Sequence, residues 1–185
     1  ARCVLHFTTN LTVMDQKLFD SFRKFKEVWI SVSVEGANQT FEYLRYGHKW
    51  STLTNNIRNI LDKKLKNLIL KINHVVQTPS YHSIQEMTNF FDELELEIHP
   101  ILLTSPELYH ISALSKNAKQ KFLDDTASYN GYNKNFINFV RSVTQEYKEQ
   151  NATLTKKCIQ DLENLDRVRK NSHKDVIPLE NISIY

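Results

Sequence analysis

Apolar residues recur along this chain in two alternating rhythms. Residues 3–8 (CVLHFT) form a short apolar run, and the small polar groups Thr8-Thr9-Asn10 close it. Asp15 is placed to cap a helix with Leu18, Phe19, Phe22 and Phe25 at helical spacing. Residues 28–34 (VWISVSV) have the length and β-branched content of a buried strand, and Glu35-Gly36 ends it. A short helix is predicted over 40–46. A second follows, capped by Ser51, with Leu53, Ile57, Ile60 and Leu61 on one face. Residues 68–76 (LILKINHVV) predict a strand that Pro79 stops. Ser80 or Ser83 then starts a helix carrying Ile84, Met87, Phe90, Phe91 and Leu94 inward. Residues 96–103 (LEIHPILL) predict a fourth strand, whose proline makes it an edge, a bulge or a short strand.

From Thr104 the pattern changes. Ser105-Pro106-Glu107 opens a helical turn, and helices are predicted over 116–128, 133–150 and 153–170. The last of these carries Leu154, Cys158, Ile159, Leu162, Leu165 and Val168 on its apolar face, and residues 176–180 read as an extended tail. Strand–helix–strand units of this kind predict an α/β fold with about four parallel strands and right-handed crossovers. A closed (β/α) barrel wants about eight strands, so either the sheet is open or its remainder lies outside this sequence. The natural division is 1–104, strands with flanking helices, and 105–185, a helical extension.

Composition narrows the function classes. The chain is 41% hydrophobic and 24% charged, as a globular domain is, and its net charge of +3 argues for no nucleic-acid partner. No apolar run approaches the roughly 20 residues that span a bilayer. Cys3 and Cys158 are distant in sequence, which fits two free thiols in a reducing cytoplasm better than a disulfide framework or a zinc site. With three glycines in 185 residues, no Gly-rich phosphate loop is expected. The start, Ala1-Arg2-Cys3-Val4, lacks an initiator methionine and reads as the inside of a strand, which suggests an incomplete protein.

In a parallel sheet, polar groups at the carboxyl ends of the strands share one edge, where ligands bind. Here they are Thr8, Thr9 and Asn10; Ser33, Glu35 and Arg45; Asn73 and His74; and His99. A hydroxyl beside a carboxylate suits a ribose diol, and a guanidinium suits a ligand carboxylate. Each has a structural alternative. Thr9 and Asn10 are common turn residues, Glu35-Gly36 is an ordinary turn pair, and His74 and His99 are more often core or surface histidines than ligands. No metal-ligand spacing and no nucleophile elbow is present.

The order of these pieces resembles the later half of a radical S-adenosylmethionine (SAM) domain with a shortened "twitch" extension. Thr8-Thr9-Asn10 is similar to the family's Thr-Asn-Gly third-strand motif, with Leu11 where the family has glycine. Ser33-Val34-Glu35-Gly36 is similar to the fourth-strand Ser-Ile-Asp-Gly. Glu42-Tyr43-Leu44-Arg45-Tyr46-Gly47 with Trp50 resembles the Glu-Tyr-Ile-Arg-Tyr…Trp segment after that strand, and Asn55-Asn56-Ile57 resembles the helix that follows. Ser105-Pro106-Glu107-Leu108-Tyr109-His110-Ile111 with Leu114 and Lys119 resembles the family's exit from the barrel. Asp166-x-x-Arg169 and Pro178-Leu179-Glu180 resemble its closing motifs.

The resemblance implies a partial (β/α) barrel, with these strands as its third to sixth. It implies SAM and a 4Fe–4S cluster as cofactors of a longer parent enzyme. Thr9, Asn10, Ser33, Glu35, Arg45, Asn73 and His99 would be the cofactor-binding residues, with Ser33 and Glu35 on the ribose hydroxyls. Arg45 would meet the methionine carboxylate or order the loop. A peptide or protein substrate is the first expectation. The family's Cys-x-x-x-Cys-x-x-Cys loop and its second-strand Gly-Gly-Glu are absent, so this chain by itself holds no cluster by that motif. The alternative is a non-catalytic α/β ligand- or protein-binding module.

Overall fold

The computed structural model describes residues 3–183; the strand-like start read at Ala1 and Arg2 lies outside them. Four strands, β1 (Val4–Thr9), β2 (Glu27–Ser33), β3 (Leu68–Val76) and β4 (Ile98–Leu102), form one sheet in the order β1-β2-β3-β4. Every neighbouring pair is parallel. The helices between strands are α1 (Gln16–Phe22), α2 (Asn38–Leu44), α3 (Trp50–Asp62) and α4 (Ile84–Glu93). Three more follow: α5 (Lys116–Asp125), α6 (Lys134–Glu146) and α7 (Ala152–Arg169). The fold is thus α/β with an all-parallel sheet, and the strand that contains Pro100 lies at its edge, where a missing N–H costs least.

The pleat sorts residues onto two unlike faces. Val28, Ile30, Val32, Leu70, Ile72, His74, Val76 and Ile98 point to one face and are buried. That face packs on Phe19 and Phe22 of α1, Leu53, Ile57 and Ile60 of α3, and Ile84, Met87 and Phe91 of α4. Phe136, Ile137 and Val140 of α6 join the same core. The register places Val4, His6, Thr8, Trp29, Ser31, Ser33, Lys71, Asn73, Val75, His99 and Ile101 on the other face. That face keeps solvent access: Val4 is 53% and Ile101 48% exposed, and His6 and Thr8 are exposed.

Local signals place most of the helices. Asp15 Oδ1 accepts from the Leu18 amide at 2.9 Å, the expected N-cap. Elsewhere long-range contacts decide. The helix expected to be capped by Ser51 starts at Trp50, whose amide donates to Glu42 Oε1 at 3.2 Å, a cap supplied from α2. Leu18 and Val168, both expected inward, are 37% and 81% exposed. The predicted extended tail is instead a packed segment with turns at His173–Asp175 and Leu179–Asn181. It buries Ile177 and Ile182 in a second cluster with Tyr43, Ala113, Leu154, Cys158 and Leu162. No helix among the described residues is long and apolar enough to cross a membrane.

Candidate functional site

Not all the residues expected at carboxyl strand ends lie there: Thr9 and Ser33 close β1 and β2, but Asn73 sits three residues before the end of β3 and His99 is the second residue of β4, because both strands run further than their polar residues suggest. The set divides into residues consumed by turns and residues left available. Thr9 Oγ1 accepts from the Leu11 amide at 3.0 Å, and Asn10 Oδ1 accepts from the Thr12 hydroxyl at 3.0 Å and, more weakly, the Thr12 amide at 3.4 Å. Such side-chain-to-backbone bonds are what threonine and asparagine supply at turns. Both therefore build the loop after β1, and Asn10 also lines a cleft of about 180 Å³ with Phe41, His48 and Lys49. Leu11 follows at φ 55°, a left-handed backbone that side chains with a Cβ disfavour by roughly 1–2 kcal/mol. Its carbonyl is held by Asn56 Nδ2 at 2.8 Å, and its side chain is buried.

Ser33, Asn73 and His99 lie side by side in register across β2, β3 and β4, on the solvent-accessible face. Parallel strands are about 4.8 Å apart, so the row spans roughly 10 Å. Ser33 and Asn73 make no side-chain hydrogen bond among the described residues. His99 Nε2 is 3.4 Å from Glu97 Oε2 but poorly aligned for a hydrogen bond, and that nitrogen is shielded from water. Next to this row, Lys71 Nζ sits 5.3 Å from the centre of the Trp29 ring and 3.6 Å from Glu97 Oε2.

Glu35, just past the end of β2, is buried and meets Arg45 through two parallel N–H···O bonds from Nε and Nη2. A bidentate guanidinium–carboxylate pair fixes both groups in a plane. It brackets α2, tying the residue just after the helix to the turn that follows β2. Gly36 makes the turn possible: its φ is +138°, and an added Cβ would lie 2.8 Å from both Ser83 Oγ and Thr40 Cγ2. Arg45 is thus engaged by a carboxylate of its own chain.

His74 points the other way, into the core against Phe136. Its Nδ1 donates to the Val34 carbonyl at 2.8 Å, and burial pushes its pKa down to about 4. It is a core histidine, the structural alternative given above.

A second polar constellation went unread in the sequence. Tyr43 OH donates to Asp166 Oδ1 at 2.9 Å, and Arg169 Nη1 donates to the Tyr43 carbonyl at 2.8 Å. Asp166 also accepts the His173 amide at 2.9 Å and His173 Nδ1 at 2.7 Å. The available signal is the pair of motifs that contain Tyr43 and Asp166-x-x-Arg169, but nothing local joins residues 123 apart. Beside this cluster lies a cleft of about 580 Å³, lined by Glu42, Tyr46, His48, Lys49, Ser172 and Asp175 among others, and by none of the predicted site residues.

Among the described residues no group of three or more His, Cys, Asp or Glu is arranged to hold a metal ion. Cys3 is exposed at the start of the sheet, while Cys158 is buried in α7 with its thiol pushed up to about 12 by that burial. These residues do not fit an iron–sulfur cluster. Searches of family models, curated proteins and solved structures found no match.

Proposed function

We propose that this chain is part of a radical SAM enzyme, and that the strand ends of β1 and β2 with the accessible sheet face form part of its SAM site and substrate cavity. The observation that carries the reading is the row Ser33–Asn73–His99 on an accessible face of an all-parallel sheet. All-parallel sheets normally bury both faces. A face bearing a hydroxyl, a carboxamide and an imidazole suits a polar ligand better than a second apolar layer. In the partial barrel that the resemblance implies, this face is the interior.

Two further observations support it. Leu11 holds a left-handed backbone where the similar motif has glycine, the residue that adopts it freely. Segments quoted for the resemblance also meet: Asn56 holds Leu11, and Tyr43 holds Asp166 and Arg169.

In this reading the Ser33 hydroxyl and the remaining lone pairs of the Glu35 carboxylate accept the ribose hydroxyls. Arg45 takes the second of its two expected roles, fixing Glu35 and the loop. Asn73 and His99 face the rest of SAM or a peptide or protein substrate, and Thr9 and Asn10 shape the rim. SAM on a reduced cluster supplies a 5′-deoxyadenosyl radical. The described residues hold no cluster, and no radical step is assigned to them.

The test is to express the complete reading frame that encodes this chain, purify it without air, and assay iron, sulfide and 5′-deoxyadenosine release on reduction. About four irons and four sulfides per chain are expected. A product that binds neither and releases no 5′-deoxyadenosine would leave the non-catalytic binding module.

A further inference from the structure

A net charge of +3 argues against a nucleic-acid partner only where it is spread evenly, and here it is not. Segments 20–27 and 62–67 carry Arg23, Lys24, Lys26, Lys63, Lys64 and Lys66 against Asp20, Glu27 and Asp62, so their excess equals that of the whole chain. The two segments lead into β2 and β3, which are neighbours in the sheet. Asn67 fastens them together. Its Nδ2 donates to the Phe22 and Phe25 carbonyls at 3.0 and 3.1 Å, and its carbonyl accepts the Val28 amide at 2.7 Å. Lys26 and Lys66 each lie two residues before the register pair Val28–Leu68, so their backbones enter the sheet side by side. All six cations are exposed. Lys24, Lys26, Lys64 and Lys66 make no ion pair or side-chain hydrogen bond among the described residues. Arg23 has a loose contact with Asp20 at 3.8 Å, and Glu27 accepts from the Trp29 indole at 2.7 Å.

We propose that this amino edge of the sheet is a binding surface for single-stranded nucleic acid, held through its phosphates. It lies at the opposite end of the β-strands from Thr9, Ser33 and Glu35 and does not rest on the SAM reading. Exposed cations without protein partners lose little on contacting phosphates, and the polyanion gains by releasing its condensed counterions. Two features select this partner. None of the exposed large apolar side chains lies in either segment, whereas a protein interface is built around a desolvated apolar or aromatic centre. Glu93, Glu95 and Glu97 are exposed at the same end, ahead of β4 on the far side of β3. A flat anionic membrane or a rigid duplex would meet those carboxylates as well. A flexible single strand follows the two cationic loops and avoids them.

The experiment titrates the 185-residue chain into a fluorescein-labelled oligo(dT) of about 12 nucleotides and reads anisotropy. A dissociation constant on the order of 10 μM is expected at about 50 mM salt. Contact with about four phosphates gives a slope of about −2.8 for log K against log salt, so affinity should fall roughly fiftyfold between about 50 and 200 mM salt. Lys26→Glu combined with Lys66→Glu should weaken binding at least about tenfold and halve that slope. Lys156→Glu combined with Lys157→Glu makes the same charge change at exposed positions on α7, and should alter affinity by no more than about twofold. The salt slope is read on the unaltered chain and does not depend on either variant folding. No binding up to about 500 μM chain, a slope shallower than about −1, or equal losses in the two double variants would overturn the proposal. So would equal or tighter binding to a duplex of the same length, to a decaglutamate peptide, or to vesicles containing about 30% phosphatidylserine, each of which would assign the patch to that other partner.

Discussion

Replacing Asp166 by alanine removes the acceptor that fastens the C-terminal segment to α2. Its carboxylate serves three donors: the Tyr43 hydroxyl, the His173 amide and His173 Nδ1. The carboxylate is 16% exposed and the His173 side chain 1% exposed, so water replaces little of what is lost. A hydrogen bond to a charged group is worth about 1.5–3 kcal/mol, but three that share one acceptor do not add. Losing the three together, with the buried Tyr43 and His173 donors left unpaired, gives about 4 kcal/mol for Asp166→Ala. Asp166→Asn keeps one oxygen and should cost about 2 kcal/mol. Burial alone would push this carboxyl up, but the bonds from His173 and Tyr43 outweigh it and hold it below the ordinary carboxylate range. A depressed carboxyl stabilises the fold above its unfolded value near pH 4, and that stabilisation is lost as pH falls through the lower folded value. The gap between wild type and Asp166→Asn should therefore be open near about pH 5 and close in stronger acid. Urea unfolding followed by circular dichroism measures both, with tryptic cleavage near Lys170 as a local readout. A loss below about 1 kcal/mol for Asp166→Ala, with unchanged cleavage, would refute the argument that this carboxylate docks the segment.

Four other substitutions follow from the geometry described above. Gly36→Ala combines a φ of +138° with contacts of 2.8 Å, and should cost about 3 kcal/mol, read as a fall in Tm of roughly 6–12 °C; an unchanged Tm would show that the turn is soft. Burial pushes the pKa of His74 down to about 4, so its share of stability is complete above about pH 6.5 and is lost as pH falls toward 4. Wild type should lose up to about 3 kcal/mol across that window and His74→Gln less; parallel pH profiles in urea would contradict this. Ser33→Ala and Asn73→Ala should each shift stability by no more than about 0.5 kcal/mol, since neither side chain has a hydrogen-bond partner among the described residues, while, if the proposed function holds, weakening SAM binding by the product of the complete reading frame about tenfold. A large stability loss would make these residues structural.

What the sequence disclosed and what it withheld follow the range of the forces involved. The strands were legible because β-branched runs such as 28–34 and 68–76 declare a buried sheet locally. The cap at Asp15 was legible for the same reason, since donor and acceptor are three residues apart. The start of α3 was misplaced because its cap comes from Glu42, which no local rule connects to Trp50. The tail was misread because residues 176–180 have no period, and Ile177 is buried in a cluster built mostly from distant residues, Tyr43, Ala113 and the apolar face of α7. Val168 shows the opposite error. It continues the apolar spacing of α7, but Asp166 and Arg169 turn that end of the helix toward α2 and leave it 81% exposed.

The candidate site was legible as a set of residue types and illegible as a set of roles. Arg45 is the clearest case. By type it could grip a ligand carboxylate or brace its own loop, and both need the same fork of donors. The structure spends that fork on Glu35, ten residues back, and buries the carboxylate beside Gly36. A paired, nearly neutral unit at a strand end has a different use from two free ions. It contributes oriented lone pairs without a net charge, which suits the hydroxyls of a neutral diol and gives no advantage to an anion. The same reasoning separates Ser33 and Asn73 from Thr9 and Asn10. Ser33 ends β2 and Asn73 lies inside β3, and among the described residues both keep their polar side-chain atoms unspent on an accessible face, while Thr9 and Asn10 have spent theirs on the turn. Within the function proposed above, the binding role therefore falls first to the pair Ser33 and Asn73, with Glu35 set in place by Arg45 just past the end of β2.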